Sequence, residues 1–278
     1  MSLPQPAPRV AIVLSAGYFG FFAHAGFMLA VEELGINYCA IAGSSAGAII
    51  AALHASGVPA AEIADVLSGV RRRDFWDSTG VGGLLRAAVR KGRGWTGLLK
   101  GDLFEELIRR RLRVQTFEEC PRSLYITALN LSTGADETFH SGTIADKVRA
   151  SCSYPLLMTP KAINGAYYWD GGFLSKIPIE ALLAAENPDR VIVHYLPSRS
   201  GAKEFSESNW SALSLFEKAL TAARKEIEAH RLNALGEDRH KLVWVEPVVP
   251  PVSPKDLSAG KAAIDAAYRH ALKHLSEY

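Results

Sequence analysis

Cysteine is scarce in this sequence. Cys39, Cys120 and Cys152 are an odd set with no close spacing, which excludes a disulfide framework and points to reduced thiols in a cytoplasmic-type compartment. None has metal-ligand spacing and the histidines are scattered, so no metal site is legible. Net charge is also nearly absent: 31 Lys and Arg against 29 Asp and Glu leave +2. That balance argues neither for nor against nucleic acid, and no nucleic-acid partner is expected. Residues 1–9 contain three prolines and no apolar h-region, so no secretion signal is read there. No Gly-Lys-Ser/Thr occurs, which rules out a P-loop, and there is no internal repeat.

What is abundant is apolar sequence, 48% of 278 residues, enough for a large core in a single domain over 1–278. Two uncharged runs, 10–31 and 37–57, are each about as long as a transmembrane helix. Both carry Gly and Ser where a strand would turn into a helix, so they read as two buried strand-turn-helix units. Strands are then expected over 9–15, 37–42, 124–130, 190–196 and 241–245. Hairpins are expected at 124–139 and, around Asn164-Gly165, at 161–169. Helices are expected over 21–34, 46–56, 59–70, 102–112, 144–151, from about 178, over 206–235 and over 259–277. In the helix 102–112, Leu103, Phe104, Leu107 and Ile108 share one side. Strands alternating with helices imply a largely parallel sheet covered on both faces. Residues 8–196 form the expected core, 71–101 a cap segment, and 204–278 the C-terminal helices and last strand. Residues 71–100 mix basic residues with Trp76 and Trp95, a composition suited to a lipid headgroup surface, a cap, or a solvated connector.

The stretch around which the chain is organised is Gly43-Ser44-Ser45-Ala46-Gly47, a Gly-x-Ser-x-Gly pattern between an apolar strand and an alanine-rich helix. A serine on such a turn is lifted out of the backbone, and its flanking glycines allow strand and helix to approach closely. The helix N-terminus brings partial positive charge and free N–H groups to the place where an oxyanion would form. Upstream, the Ser15–Gly20 loop leads from the first strand into the first helix and presents backbone N–H groups. Its dinucleotide fingerprint is incomplete, because Ser15 occupies the first glycine position, so an oxyanion role beside Ser45 is the better reading.

A serine nucleophile needs a base. Eight histidines are available: His24, His54, His140, His194, His230, His240, His270 and His274. None sits in a glycine-rich loop, and His54 lies about two turns down the helix that follows Ser45, too far to serve it. Asp170 differs, because it leaves a hairpin strand and is followed by Gly171-Gly172. A carboxylate there is either an ordinary surface turn or a base bonded directly to Ser45, its pKa raised by burial.

Together these motifs resemble the patatin-like phospholipase family over nearly the whole chain. Gly43-Ser44-Ser45-Ala46-Gly47 is similar to the family's nucleophile elbow and Asp170-Gly171-Gly172 to its Asp-Gly-Gly/Ala motif. Arg149-Ala150-Ser151-Cys152-Ser153-Tyr154-Pro155 and Ile177-Pro178 are similar to the flanking segments. The resemblance implies a three-layer α/β/α sandwich with a mostly parallel central sheet. It also implies a serine acyl hydrolase acting on carboxyl esters of lipids, with Ser45 as nucleophile and Asp170 as base. No metal or organic cofactor is then required, and the partner is a lipid ester, with contact to a membrane surface as a further expectation. The backbone N–H groups of Gly17, Tyr18 and Ala46 are the expected oxyanion donors. The glycine loop departs from the family's Gly-Gly-Gly-x-Arg/Lys-Gly, since Ser15-Ala16-Gly17-Tyr18-Phe19-Gly20 supplies no basic residue. Phe19, Phe21 and Phe22 fit either an acyl channel or the core. Two competing readings stay open: a Ser-His-Asp α/β-hydrolase esterase, and a binding protein of the same fold without turnover.

Overall fold

The computed structural model describes residues 8–80, 96–197, 212–253 and 256–276. Strand β1 (Val10–Leu14) is buried at all five positions, as a central strand covered on both faces should be. It pairs in parallel with β2 (Ala40–Ser44) on one edge and β9 (Arg190–His194) on the other. Beyond them β10 (Leu242–Val245) continues the parallel run past β9, and β4 (Ser123–Asn130) continues it past β2. The far end of the sheet turns antiparallel, with β5 (Ala135–Phe139), β7 (Lys161–Ile163) and β8 (Ala166–Asp170). A separate two-stranded sheet pairs β3 (Gly97–Leu99) with β6 (Leu156–Met158).

The period-2 alternation of each strand divides the core into two. Ile12, Leu14, Ile41, Leu124 and Ile126 face one layer. It holds helices α1 (Phe21–Glu33), α2 (Ala46–Ala55), α3 (Ala60–Gly69), α5 (Ala145–Ser151) and α8 (Gly260–Leu275). Ala11, Val13, Ala42, Val191 and Val193 face the opposite layer, where α6 (Glu180–Glu186) and α7 (Ala212–Ala234) lie. The result is a three-layer α/β/α sandwich with a mostly parallel sheet. Helix α4 (Asp102–Arg111) carries Ile108 into the core, but Leu103 is 45% exposed and does not join that side as expected. The sequence also concealed β3 and β6, three-residue strands in irregular surroundings. Among the described residues no helix is long and apolar enough to cross a membrane. Much of the expected cap segment 71–101, including Leu84, Leu85 and Trp95, lies outside the described residues, as does 206–211 of the expected long helix.

The position of the site follows from the edges of β4. Ile126 and Thr127 are flanked by β2 on one edge and by β5 on the other. Ala128 to Asn130 are flanked by β5 and by β8. Strands β2 and β8 therefore share one edge of β4 and meet end to end. Strand β2 finishes at Ser44 opposite Thr127, and β8, running the other way, finishes at Asp170 opposite Ala128. Two carboxyl ends from distant parts of the chain converge beside β1, where the chain order reverses and open α/β sheets place their ligands.

Candidate active site

Ser45 leaves β2 with φ 52° and ψ −118°, a conformation that costs a non-glycine residue roughly 1–3 kcal/mol. The flanking glycines make the turn sterically feasible. A Cβ on Gly47 would stand 2.2 Å from the Leu14 carbonyl oxygen, and one on Gly43 would stand 2.5 Å from the backbone of Gly47. Helix α2 begins at Ala46, whose N–H belongs to the first turn and has no intrahelical acceptor.

The strained turn is held by residues that the sequence did not disclose. The Ser45 N–H donates to Ser151 Oγ at 2.8 Å, and Ser151 Oγ donates onward to the Thr127 carbonyl at 2.7 Å. Cys152 Sγ donates to the Ser45 carbonyl at 3.2 Å, and burial keeps that thiol protonated by pushing its pKa well up. Ser151 and Cys152 had a signal only as part of the 149–155 segment, without a role for either. Arg149 anchors the same helix to the small sheet, donating to the carbonyls of Gly101 at 3.1 Å and Thr159 at 2.9 Å.

Ser45 Oγ donates to Asp170 Oδ2 at 2.6 Å. The other carboxylate oxygen, Oδ1, accepts from the Gly172 N–H at 2.8 Å, so Gly171–Phe173 forms a short 3₁₀ turn that caps on Asp170. Asp170 is 4% exposed, which excludes the surface-turn reading. Burial raises its pKa from 3.8 to about 6, against the lowering effect of the Ser45 and Gly172 hydrogen bonds and the Arg224 charge. Such a carboxylate is ionised at neutral pH and still basic enough to take a proton.

Histidines engage elsewhere. His54 bonds the Tyr38 hydroxyl and, at 2.8 Å, Glu32. His24 and His194 meet Nδ1 to Nδ1 at 2.7 Å, both buried. His24 Nε2 reaches the Ser15 carbonyl at 2.9 Å, so Nε2 carries its proton. The neutral ring then accepts at Nδ1 from His194, a tautomer set by geometry. Burial lowers the His24 pKa to about 4 and that of His194 well below the ordinary range, so both stay neutral. The pair pins the end of β1 just ahead of Gly17. Gly20 N–H donates to the Gly17 carbonyl at 3.0 Å, closing the loop, and Tyr18 at its tip is 64% exposed. Phe22 is core, whereas Phe19 and Phe21 are partly buried against it. Among the described residues no group of His, Cys, Asp and Glu could hold a metal ion, and the three cysteines are free thiols.

Residues 12–183 match the family model described as patatin-like phospholipase. The chain belongs to that family. It is 28% identical over 207 residues to an uncharacterized NTE family protein of Mycobacterium bovis, covering 74% of this chain and 54% of that protein. It is also 28% identical over 170 residues to lysophospholipase NTE1 of Kluyveromyces lactis, covering 61% of this chain and 11% of that one. The chain thus spans about half the length of the mycobacterial relative and a small part of the yeast enzyme. Among solved structures, VipD from Legionella pneumophila superposes with a TM-score of 0.57 at 15% identity, covering 98% of this chain and 67% of that one. The type III effector ExoU superposes with 0.50 at 15% identity, covering 98% and 53%. These two establish the patatin fold.

Proposed function

We propose that the protein is a serine acyl hydrolase that cleaves carboxyl esters of lipids through a Ser45–Asp170 dyad. The observation that carries this reading is the 2.6 Å hydrogen bond from Ser45 Oγ to Asp170 Oδ2 at a strained strand-to-helix turn. Family membership and the likeness to a lysophospholipase support the lipid class. In the first step Ser45 Oγ attacks the ester carbonyl carbon while its proton passes to Asp170 Oδ2. The oxyanion is met by the backbone N–H groups of Ala46, Gly17 and Tyr18, with the field of the α2 N-terminus behind them. The tetrahedral intermediate collapses, the C–O bond to the alcohol breaks, and the leaving oxygen takes the proton back from Asp170. A water then gives its proton to Asp170 and attacks the acyl-enzyme. The second tetrahedral intermediate collapses, the acyl C–O bond to Ser45 Oγ breaks, Oγ takes the proton back from Asp170, and a fatty acid is released. In both halves of the reaction the proton is held in turn by Asp170 and the attacking or leaving oxygen.

Contact with a membrane surface belongs to the same reading. Leu98 and Leu156 of the small sheet are 46% and 49% exposed, and the segment that carries Arg71-Arg72-Arg73 reaches the same sheet at Ser78. Ser78 bridges to Leu99, and the Arg72 guanidinium stacks 3.6 Å over the Trp76 ring. Apolar side chains beside cations fit an anionic interface.

Intact-protein mass after fluorophosphonate treatment tests the dyad. One adduct is expected on the wild type and none on Ser45→Ala or Asp170→Asn. An adduct that persists on Asp170→Asn overturns the dyad in favour of another base, and no adduct on folded wild type removes the hydrolase reading.

A further inference from the structure

The glycine loop ahead of α1 carries no Arg or Lys, yet a cation reaches the site from elsewhere in the fold. Arg224, on α7 and outside the 12–183 match, lays its guanidinium 3.8 Å over the ring of Phe173, the last residue of the turn that caps on Asp170. Tyr154 borders the same ring at 5.7 Å between centroids, and Trp169, the neighbour of Asp170, borders it at 6.5 Å. Among the described residues, three donor nitrogens in this cluster are buried without a hydrogen-bond partner: Arg224 Nε, Arg224 Nη2 and Trp169 Nε1.

Stacking on Phe173 holds the guanidinium plane but satisfies none of its N–H groups. A buried donor left unpaired is costly, and native proteins keep few of them. Three donors around one ring call for a group that only accepts, carries negative charge and offers several oxygens. Phosphate has these properties, and the planar guanidinium fork matches two of its oxygens at once. The carboxylate on the same face of the helix does not fill this role. Glu228, one turn on, lies 3.9 Å from Lys176, whose Nζ donates to the Tyr195 hydroxyl at 2.8 Å. Arg224 also acts on the reacting centre, since its charge holds the Asp170 pKa lower than burial alone would.

We propose that Arg224 and Trp169, braced on Phe173, form an anion subsite beside the ester site that selects glycerolipids whose headgroup carries a phosphate. The inference deepens the hydrolase reading and rests on it for the identity of the neighbouring site. It replaces the basic residue missing from the glycine loop with one supplied by a different element, and it accounts for buried donors that the dyad alone leaves unpaired.

Binding without turnover separates the two readings. An ether-linked lysophospholipid and the 1-O-alkylglycerol of equal chain length, neither of which the protein can hydrolyse, are titrated calorimetrically below their micellar concentrations. The full chain is used as wild type, Arg224→Gln, Arg224→Lys and Trp169→Phe. The wild type is expected to prefer the phosphate-bearing lipid by about tenfold to a hundredfold, the range for charge-assisted hydrogen bonds. Arg224→Gln abolishes the preference, and Arg224→Lys and Trp169→Phe each reduce it several-fold. Equal affinity of wild type for the two lipids overturns the subsite, as does a preference unchanged in Arg224→Gln. Should circular dichroism show Arg224→Gln unfolded, an unchanged preference in both Arg224→Lys and Trp169→Phe overturns it instead. Inorganic phosphate that binds as tightly as the phosphate lipid overturns the headgroup assignment. Hydrolysis of p-nitrophenyl butyrate by the wild type is followed in parallel. Turnover without phosphate preference sinks the subsite alone, and phosphate preference without turnover or fluorophosphonate adduct sinks the hydrolase reading alone.

Discussion

Asp170→Asn should abolish esterase activity and at the same time make the protein more stable. The reason is the cost of holding an ionised carboxylate at a site that is 4% exposed. Burial raises the pKa of Asp170 from 3.8 to about 6, and the folded state therefore binds its proton more tightly than the unfolded chain does. By linkage, stability is highest below the unfolded pKa and falls as pH rises from about 4 to about 6. Above that window the carboxylate charges folding about 3 kcal/mol, from roughly two pKa units at 1.36 kcal/mol each. Asparagine carries no charge and can still accept from the Gly172 N–H through its oxygen. Against this, Ser45 Oγ loses a charged acceptor at 2.6 Å, a loss of about 1 kcal/mol. The net expectation is a variant more stable than wild type by about 2 kcal/mol near pH 8, with an advantage that vanishes near pH 4. Urea unfolding of both proteins at about pH 8, 6 and 4 reads the difference directly, because every other titrating group is shared. A variant less stable than wild type near pH 8, or a difference that does not shrink toward pH 4, would refute the reasoning. It would mean that Asp170 is stabilised in its ionised form and is no tuned base.

The same pKa predicts that kcat/KM on a neutral activated ester rises with pH and levels off above about 6, since only ionised Asp170 accepts the Ser45 proton; a limb that disappears on replacing a histidine would count against it. Ser151→Ala should slow fluorophosphonate labelling of Ser45 by roughly tenfold to a hundredfold and destabilise by about 1–3 kcal/mol, because it strands both the Ser45 N–H and the Thr127 carbonyl. Stopped-time mass spectrometry and a urea titration read the two effects, and unchanged labelling would remove Ser151 from the support of the turn. His54→Gln should leave labelling intact while lowering stability, since His54 serves Tyr38 and Glu32; loss of the adduct in a folded variant would revive a histidine base. Co-sedimentation with anionic liposomes should weaken when Leu98 and Leu156 become serine together with Trp76→Ala, and unaltered binding would place the membrane contact elsewhere.

The parts of this molecule that were legible in the sequence are those whose causes are local. The turn at Ser45 needs an apolar strand before it, a small-residue helix after it, and glycines where a Cβ would strike Leu14, and all three are visible within a dozen residues. The Asn164-Gly165 hairpin declares itself in the same way, with φ of 49° and 85° at the two turn residues. Asp170 could be singled out from its glycines, but its contact with a serine 125 residues away could not be derived from them. That contact depends on β2 and β8 sharing one edge of β4 and stopping at Thr127 and Ala128, a register that leaves no periodic trace in any of the three strands. Only the resemblance to a family linked the two motifs. Ser151, the His24–His194 pair and Arg224 were silent for the same physical reason. A serine, a histidine or an arginine on a helix or strand reads as solvated or packed until the fold decides what it faces. Arg224 shows how far that silence extends. An arginine on a long amphipathic helix is an unremarkable residue in sequence, yet here the helix lies over the 3₁₀ turn after Asp170 and leaves two buried guanidinium nitrogens with no acceptor among the described residues. On the proposed subsite, substrate selection lies in α7, beyond residues 12–183 that match the family, whereas Ser45 and Asp170 lie within them.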